Sequence, residues 1–222
     1  MKIIPIIQQY NLQKTRNKYI DVNFQSSKFY NHKICLPKTG ICNFKQWDEN
    51  LYSGSQPGKR GDFGDIYFLD TNSLKNDLNI LKQTGIDKII DLRRETTDGI
   101  CVSAEREKTK KMAMEYKNIP MSAKNIPTHE QIKEFFNELK TAKGRVFLHC
   151  KEGYDRTGMM LCIYLAHITG DKPNKIVNKV FEQRNLIPFR YLNDVNKQKM
   201  LSLMSYISSM NKRDFEYFLK TR

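Results

Sequence analysis

The residues richest in chemistry stand together: His149-Cys150-Lys151-Glu152-Gly153-Tyr154-Asp155-Arg156-Thr157-Gly158. A short apolar stretch before them, RVFLH at 145–149, reads as a buried strand. The apolar stretch 157–169 reads as a helix stopped by Gly170. A cysteine between a strand end and a helix start sits where backbone N–H groups converge and the helix dipole is positive. Its thiolate is stabilised there, and it ionises below the ~8.5 of a free cysteine. The same amides can cradle an anion. Gly153 lets the chain turn tightly. Arg156 offers a planar fork to two oxygens of a phosphoryl group, and Thr157 can donate its hydroxyl to the sulfur. A nucleophile, Cys150, ringed by the donors of residues 151–156 is what phosphoryl transfer through a covalent intermediate requires. His149 is expected to steady the loop by a hydrogen bond rather than to act as a base.

Phosphoryl transfer also needs an acid for the leaving oxygen and later a base for water. Asp155 is near enough if its carboxylate turns toward the substrate; otherwise it pairs with a neighbouring base and shapes the loop. His129 and Glu130, at the start of another helix, are a second source. A substrate with a good leaving group is a third way out. Lys151 either binds further anionic groups of the substrate or sits in solvent at the rim, where Glu152 opposes very highly charged substrates. Tyr154 can stack on a substrate ring or pack beneath the loop. Arg93 and Arg94 follow a strand and can reach the pocket mouth.

The elements that must hold this loop are legible as an alternation. NLYSGSQP (50–57) reads as a short strand and turn, and GKRGDFGD (58–65) as a surface loop. Ser73 can cap a helix carrying Leu74, Leu78 and Leu81 on one face, closed by Gly85. Residues 86–92 form a buried strand, 103–115 a charged helix and 116–120 another strand. Thr128 and Gln131 form a capping box ahead of Ile132, Phe135, Phe136 and Leu139. Helices at 173–184 and 191–209 complete the chain. The expected class is α/β: a central, mostly parallel sheet of four or five strands with helices on both faces.

The run 149–158 resembles the signature loop of the cysteine-dependent protein tyrosine phosphatase superfamily, His-Cys-x5-Arg-Thr-Gly. The segments 50–57 and 85–95 (GIDKIIDLRRE) are similar to the small atypical dual-specificity phosphatases, and the resemblance covers roughly residues 43–209. It implies the phosphatase fold, a phosphocysteine at Cys150 with Arg156 holding the phosphate, and neither cofactor nor metal. It also exposes a departure. Many members carry their acid on a separate loop before the cysteine, and the corresponding region here, IPMSAKNIP (119–127), contains no Asp or Glu. The Asp-Arg-Thr ending is similar to loops of inositol-lipid phosphatases, in which a lysine following the nucleophile helps bind extra phosphates. Members acting on RNA 5′-triphosphates work without the acid. The implied substrate is a phosphotyrosine or dual-specificity protein substrate, with an inositol phospholipid as the alternative. A phosphate-binding module without turnover is the alternative of another class.

The 222 residues suit one domain with an extension: a basic N-terminal extension at 1–42 and a phosphatase domain at 43–222. The formal charge of +14 favours anionic partners. Residues 1–47 alone carry +7, which reads either as a solvated basic surface or as a docking arm for an acidic partner such as a membrane surface; a nucleic-acid partner is not expected. Five cysteines of irregular spacing suggest neither a zinc site nor a disulfide framework. MKIIPII is too short for a signal peptide, and no apolar run reaches the ~18–20 residues of a membrane span. A cytoplasmic or cytosol-facing location is the expectation, and the oligomeric state stays open.

Overall fold

Alternate residues of the central strands are apolar toward opposite sides, and this builds two cores on one sheet. In the computed structural model, which describes residues 35–60, 68–182 and 186–221, the elements run β1 (Lys45–Gln46), β2 (Leu51–Gly54), β3 (Lys59–Arg60), β4 (Phe68–Leu69), α1 (Thr71–Gln83), β5 (Ile86–Asp91) and α2 (Glu95–Lys111). They continue as β6 (Glu115–Asn118), α3 (His129–Thr141), β7 (Arg145–His149), α4 (Asp155–Thr169), α5 (Pro173–Val180), α6 (Asp194–Ser208) and α7 (Lys212–Phe218). Five strands form the main sheet in the order β1-β2-β7-β5-β6. β1 is antiparallel to β2, and the other pairings are parallel. The expected α/β class, with four parallel strands and helices on both faces, is what the chain adopts.

Leu51, Ile90, Val146 and Leu148 point to one side, against Phe135 of α3, Met160 and Ile163 of α4 and Met204 of α6. Tyr52, Ile86, Ile89 and Phe147 point to the other, against Leu74, Leu78 and Leu81 of α1. Ile86 and Ile89 share a side despite their odd spacing because β5 is irregular in register between Ile86 and Lys88. All four parallel strands end on the same edge of the sheet, where ligands of open α/β sheets bind.

Helix starts follow side-chain chemistry. The capping box at Thr128 and Gln131 forms as expected, with the Gln131 side chain accepting from the Thr128 N–H at 2.9 Å. α1 begins earlier than expected. Its cap is Asp70, which accepts from the Asn72 N–H at 3.0 Å, while Ser73 lies inside the helix and bonds to Asp70. α2 runs from Glu95 to Lys111 rather than 103–115, and its inward face is partly polar, through Glu105 and Thr109 beside Val102. No helix among the described residues is long and apolar enough to cross a membrane.

The cysteine expectation needs correcting at one place. Cys35 and Cys42 are joined in a disulfide, because the chain folds back on itself between them: Leu36 N–H donates to Ile41 O at 2.8 Å. Leu36 and Ile41 are buried in the α1-side core, so packed structure begins before Asn43. Residues 1–34, the greater part of the expected basic extension, lie outside the described residues, as do 61–67 of the glycine-rich loop; the flanking β3 and β4 pair with each other.

Candidate active site

β7 delivers Cys150 from the middle of the sheet, and α4 begins five residues later at Asp155. The loop between them is braced from β2. Gln56 N–H donates to Lys151 O at 3.2 Å, and the Asn43 side chain donates to Glu152 O at 2.8 Å. Gly153 has φ +65, and a Cβ there would lie 2.2 Å from the Gly54 carbonyl carbon; only glycine fits both conditions. Cys42 ties into the same brace, its N–H donating to Ser55 Oγ at 2.8 Å and its carbonyl accepting from Ser55 N–H at 2.7 Å.

Cys150 is 2% exposed at the floor of a cleft of about 220 Å³ lined by Ala123, Lys151, Glu152, Asp155, Arg156, Arg190 and Tyr191. Burial pushes its thiol up. The Arg156 charge, the Thr157 hydroxyl and the amides of Thr157 and Tyr154 outweigh that and hold the thiol below its usual range. The Thr157 hydroxyl has no nitrogen or oxygen partner among the described residues, which leaves it to the sulfur. Arg156 also reaches the Leu92 carbonyl, at 3.5 Å. The sequence therefore placed Cys150, Arg156 and Thr157 together, and the structure brings them to one point.

Asp155 opens α4 and is 6% exposed. Burial raises its carboxyl above the ordinary carboxylate range, against the lowering effect of Arg190, whose guanidinium donates to Oδ2 at 2.8 Å. The net direction is upward, the direction an acid needs. Asp155 is paired with a base, Arg190, and it also lines the cleft. Lys151 and Glu152 stand at the cleft wall, half-buried. Tyr154 packs beneath the loop, its hydroxyl donating to Ile187 O at 2.8 Å.

Three foreseen residues go elsewhere. His129 Nε2 lies 2.5 Å from Phe218 O and its ring packs edge-on against Phe218, so it serves α7; Glu130 beside it is exposed. The 119–127 segment offers Ala123 to the cleft. Arg94 is exposed at the start of α2.

Beneath the loop lies a buried ionic cluster. Arg93, fully buried, bonds Asp91 at 2.7 Å, Glu105 at 2.5 Å and Gln56 at 2.9 Å. His149 lies 3.0 Å from Glu105 Oε1 through Nε2, and its Nδ1 lies 3.1 Å from Cys150 O. Burial alone would lower the imidazole's pKa; the charges of Glu105 and Asp91 outweigh it and raise it. Arg93 thus offsets the charge of the two buried carboxylates, and His149 sits between Glu105 and the Cys150 carbonyl. The carboxylate oxygens of Asp91 and Glu105 and a ring nitrogen of His149 lie within 4.8 Å of one another, a spacing a metal could use, but Arg93 already supplies their positive charge.

Sequence reasoning missed Arg190 and Tyr191, from the turn between α5 and α6. Arg190 lies far along the chain from the loop and belongs to no local pattern, so only packing reveals it.

Sheet, loop and cleft define a phosphatase domain of the protein-tyrosine-phosphatase type. A family model described as "DSP-PTPase phosphatase fused to NAD+ Kinase" matches residues 37–197, and the chain belongs to that family. A tyrosine-protein phosphatase of Autographa californica nuclear polyhedrosis virus is 30% identical over 74 residues, 31% of this chain and 44% of the viral protein; the match spans less than half of that relative's length. A putative phosphatase from Shewanella putrefaciens CN-32 superposes with a TM-score of 0.53 at 22% identity, over 77% of this chain and 96% of its own. The kinase associated phosphatase, with its catalytic cysteine replaced by serine, superposes at 0.55 and 14% identity, over 72% of this chain and 89% of its own. These structures share the fold.

Proposed function

We propose that the protein hydrolyses phosphate monoesters through a phosphocysteine at Cys150. One observation carries the reading: a buried sulfur at the floor of a cleft that Arg156 also lines, at the N-terminus of α4, where that charge and the Thr157 hydroxyl favour its anion. The Cys150 thiolate attacks phosphorus, an S–P bond forms, and the P–O bond to the leaving group breaks as Asp155 gives that oxygen its proton. Water then attacks phosphorus, returns a proton to Asp155, and the S–P bond breaks to release phosphate and the thiolate. Arg156 and the amides of residues 151–156 hold the phosphoryl oxygens throughout. Thr157 supports the sulfur as attacking and leaving group.

For substrate we infer a phosphotyrosine or dual-specificity protein, favoured by the depth of Cys150 and by the exposed Tyr191 ring at the mouth. An inositol phospholipid is the second reading, favoured by Lys151 and Arg190 beside Arg156 on the cleft wall. The basic residues of 1–47 would suit an acidic membrane surface in that case. The test compares kcat/KM over phosphopeptides, phosphoinositides and soluble inositol phosphates, with Cys150→Ser as control. Activity on none of these or on an aryl phosphate, or activity that survives Cys150→Ser, refutes the enzyme reading.

A further inference from the structure

The two oxygens of the Asp155 carboxyl have different surroundings. Oδ2 accepts from Arg190 Nη2 at 2.8 Å, whereas Oδ1 is buried and has no hydrogen-bond partner among the described residues. Arg190 is itself held in place. Its guanidinium carbon lies 4.5 Å from the Tyr154 ring centroid and 4.4 Å from that of Tyr191. Tyr154 is pinned to Ile187 O, and the turn that carries Arg190 is closed by Leu192 N–H donating to Phe189 O at 3.0 Å. Phe189, at φ 51, is buried against Phe181 with ring centroids 5.1 Å apart. The cation is thus positioned by rings and backbone, independently of any substrate.

We propose that Arg190 is a positioning residue that decides which oxygen of Asp155 carries the catalytic proton; this rests on the reading of Asp155 as the acid. A guanidinium only donates. The oxygen facing it stays an acceptor, so the proton resides on Oδ1, the oxygen without a partner. Buried and unpaired, Oδ1–H lacks only an acceptor, and the leaving oxygen of a bound ester supplies one. Proton transfer leaves Asp155 as a carboxylate whose charge Arg190 offsets until water returns the proton. Without the arginine the carboxyl would turn freely and bring either oxygen forward.

The experiment measures kcat on 4-nitrophenyl phosphate and on an alkyl phosphate for Arg190→Met and Arg190→Lys, each alone and combined with Asp155→Asn. An aryl leaving group needs little protonation and an alkyl one needs it fully. Methionine keeps the stem between the two rings; lysine keeps the charge. The expected loss for Arg190→Met is roughly 10–100-fold on the alkyl ester, within the 10²–10⁴ that acid catalysis supplies, and under about threefold on the aryl ester. Arg190→Lys recovers most of it. In the Asp155→Asn background Arg190→Met costs less than about twofold, since the two residues act as a unit.

The charged and titratable groups around Asp155 are Arg190 and Tyr191 from the turn, Arg156 beside it on α4, and Cys150, Lys151, Glu152 and Tyr154 from the loop. Removing the Arg190 cation raises the carboxyl's pKa, so the basic limb of kcat on the alkyl ester moves to higher pH in Arg190→Met, which a purely structural residue would not cause. Equal losses on both esters, or the same loss with and without Asp155, overturn the role of Arg190. If Asp155→Asn itself costs both esters alike, the acid reading falls, and the proposal with it; if Asp155→Asn discriminates and Arg190→Met does not, only the positioning role falls.

Discussion

Gly153→Ala tests how the cleft is built. The loop turns at φ +65, where an alanine costs about 1–3 kcal/mol in strain. Its Cβ would lie 2.2 Å from the Gly54 carbonyl carbon, 2.3 Å from the carbonyl oxygen and 2.5 Å from Ser55 N, whereas ordinary contact begins near 3.4 Å. These neighbours are backbone of β2 and its turn, with Ser55 N–H donating to Cys42 O and the adjacent Gln56 N–H to Lys151 O, and they cannot swing aside like a side chain. The loop must therefore lift by about 1 Å, and displacement of that size at reacting groups costs roughly 100-fold. The strain alone lowers Tm by about 2–12 °C, at ~2–4 °C per kcal/mol for a domain of this size. The assay is kcat/KM on 4-nitrophenyl phosphate beside a thermal melt. A variant with wild-type kcat/KM would show that the loop does not rest on β2 as described. A large fall in kcat/KM with an unchanged Tm would show that the strain is absorbed without cost to the fold.

Further outcomes follow from the same geometry. Arg156→Met removes the largest influence lowering the Cys150 thiol, so its inactivation by iodoacetate should slow by about tenfold or more near pH 6 and shift its midpoint upward; an unchanged pH profile would mean that Arg156 does not stabilise the sulfur. Arg93→Met leaves Asp91 and Glu105 buried without their cation and should cost about 3–5 kcal/mol, read as a Tm fall of more than ~6 °C. A loss below 1 kcal/mol would contradict the charge balance argued for the cluster. Cys35→Ser, or dithiothreitol on the wild type, opens a loop of sequence separation seven and should remove about 2–3 kcal/mol. The serine variant's Tm should be indifferent to dithiothreitol, and a wild-type Tm equally indifferent argues against the bond. His149, with its pKa raised, contributes stability that is full below its unfolded value of ~6.5 and is lost as pH rises through the folded value. His149→Gln should therefore flatten the decline of Tm as pH rises above about 6.5, and an unaltered slope would assign the decline to another group.

The sequence by itself determined the parts whose signals are local. The apolar run within residues 145–149, the capping box at Thr128 and Gln131 and the apolar face of α1 each follow from a pattern within a few residues, and each formed. The loop was legible for the same reason: nucleophile, glycine, arginine and threonine lie within eight residues, and the geometry of a strand end meeting a helix start is short-range. Tertiary structure decided what depends on residues distant in the chain. α2 starts eight residues earlier than its expected span of 103–115, and its inward-facing Glu105 is buried where it meets Arg93 and His149. The Cys35–Cys42 bond and its tie to the loop needed the chain folded back against β2. The partner of Asp155 comes from a turn between α5 and α6, and no spacing rule connects position 155 to position 190. Contacts of that kind are selected by packing over the whole core, where a single side chain's place is fixed by the rings of Tyr154 and Tyr191 rather than by its neighbours in sequence.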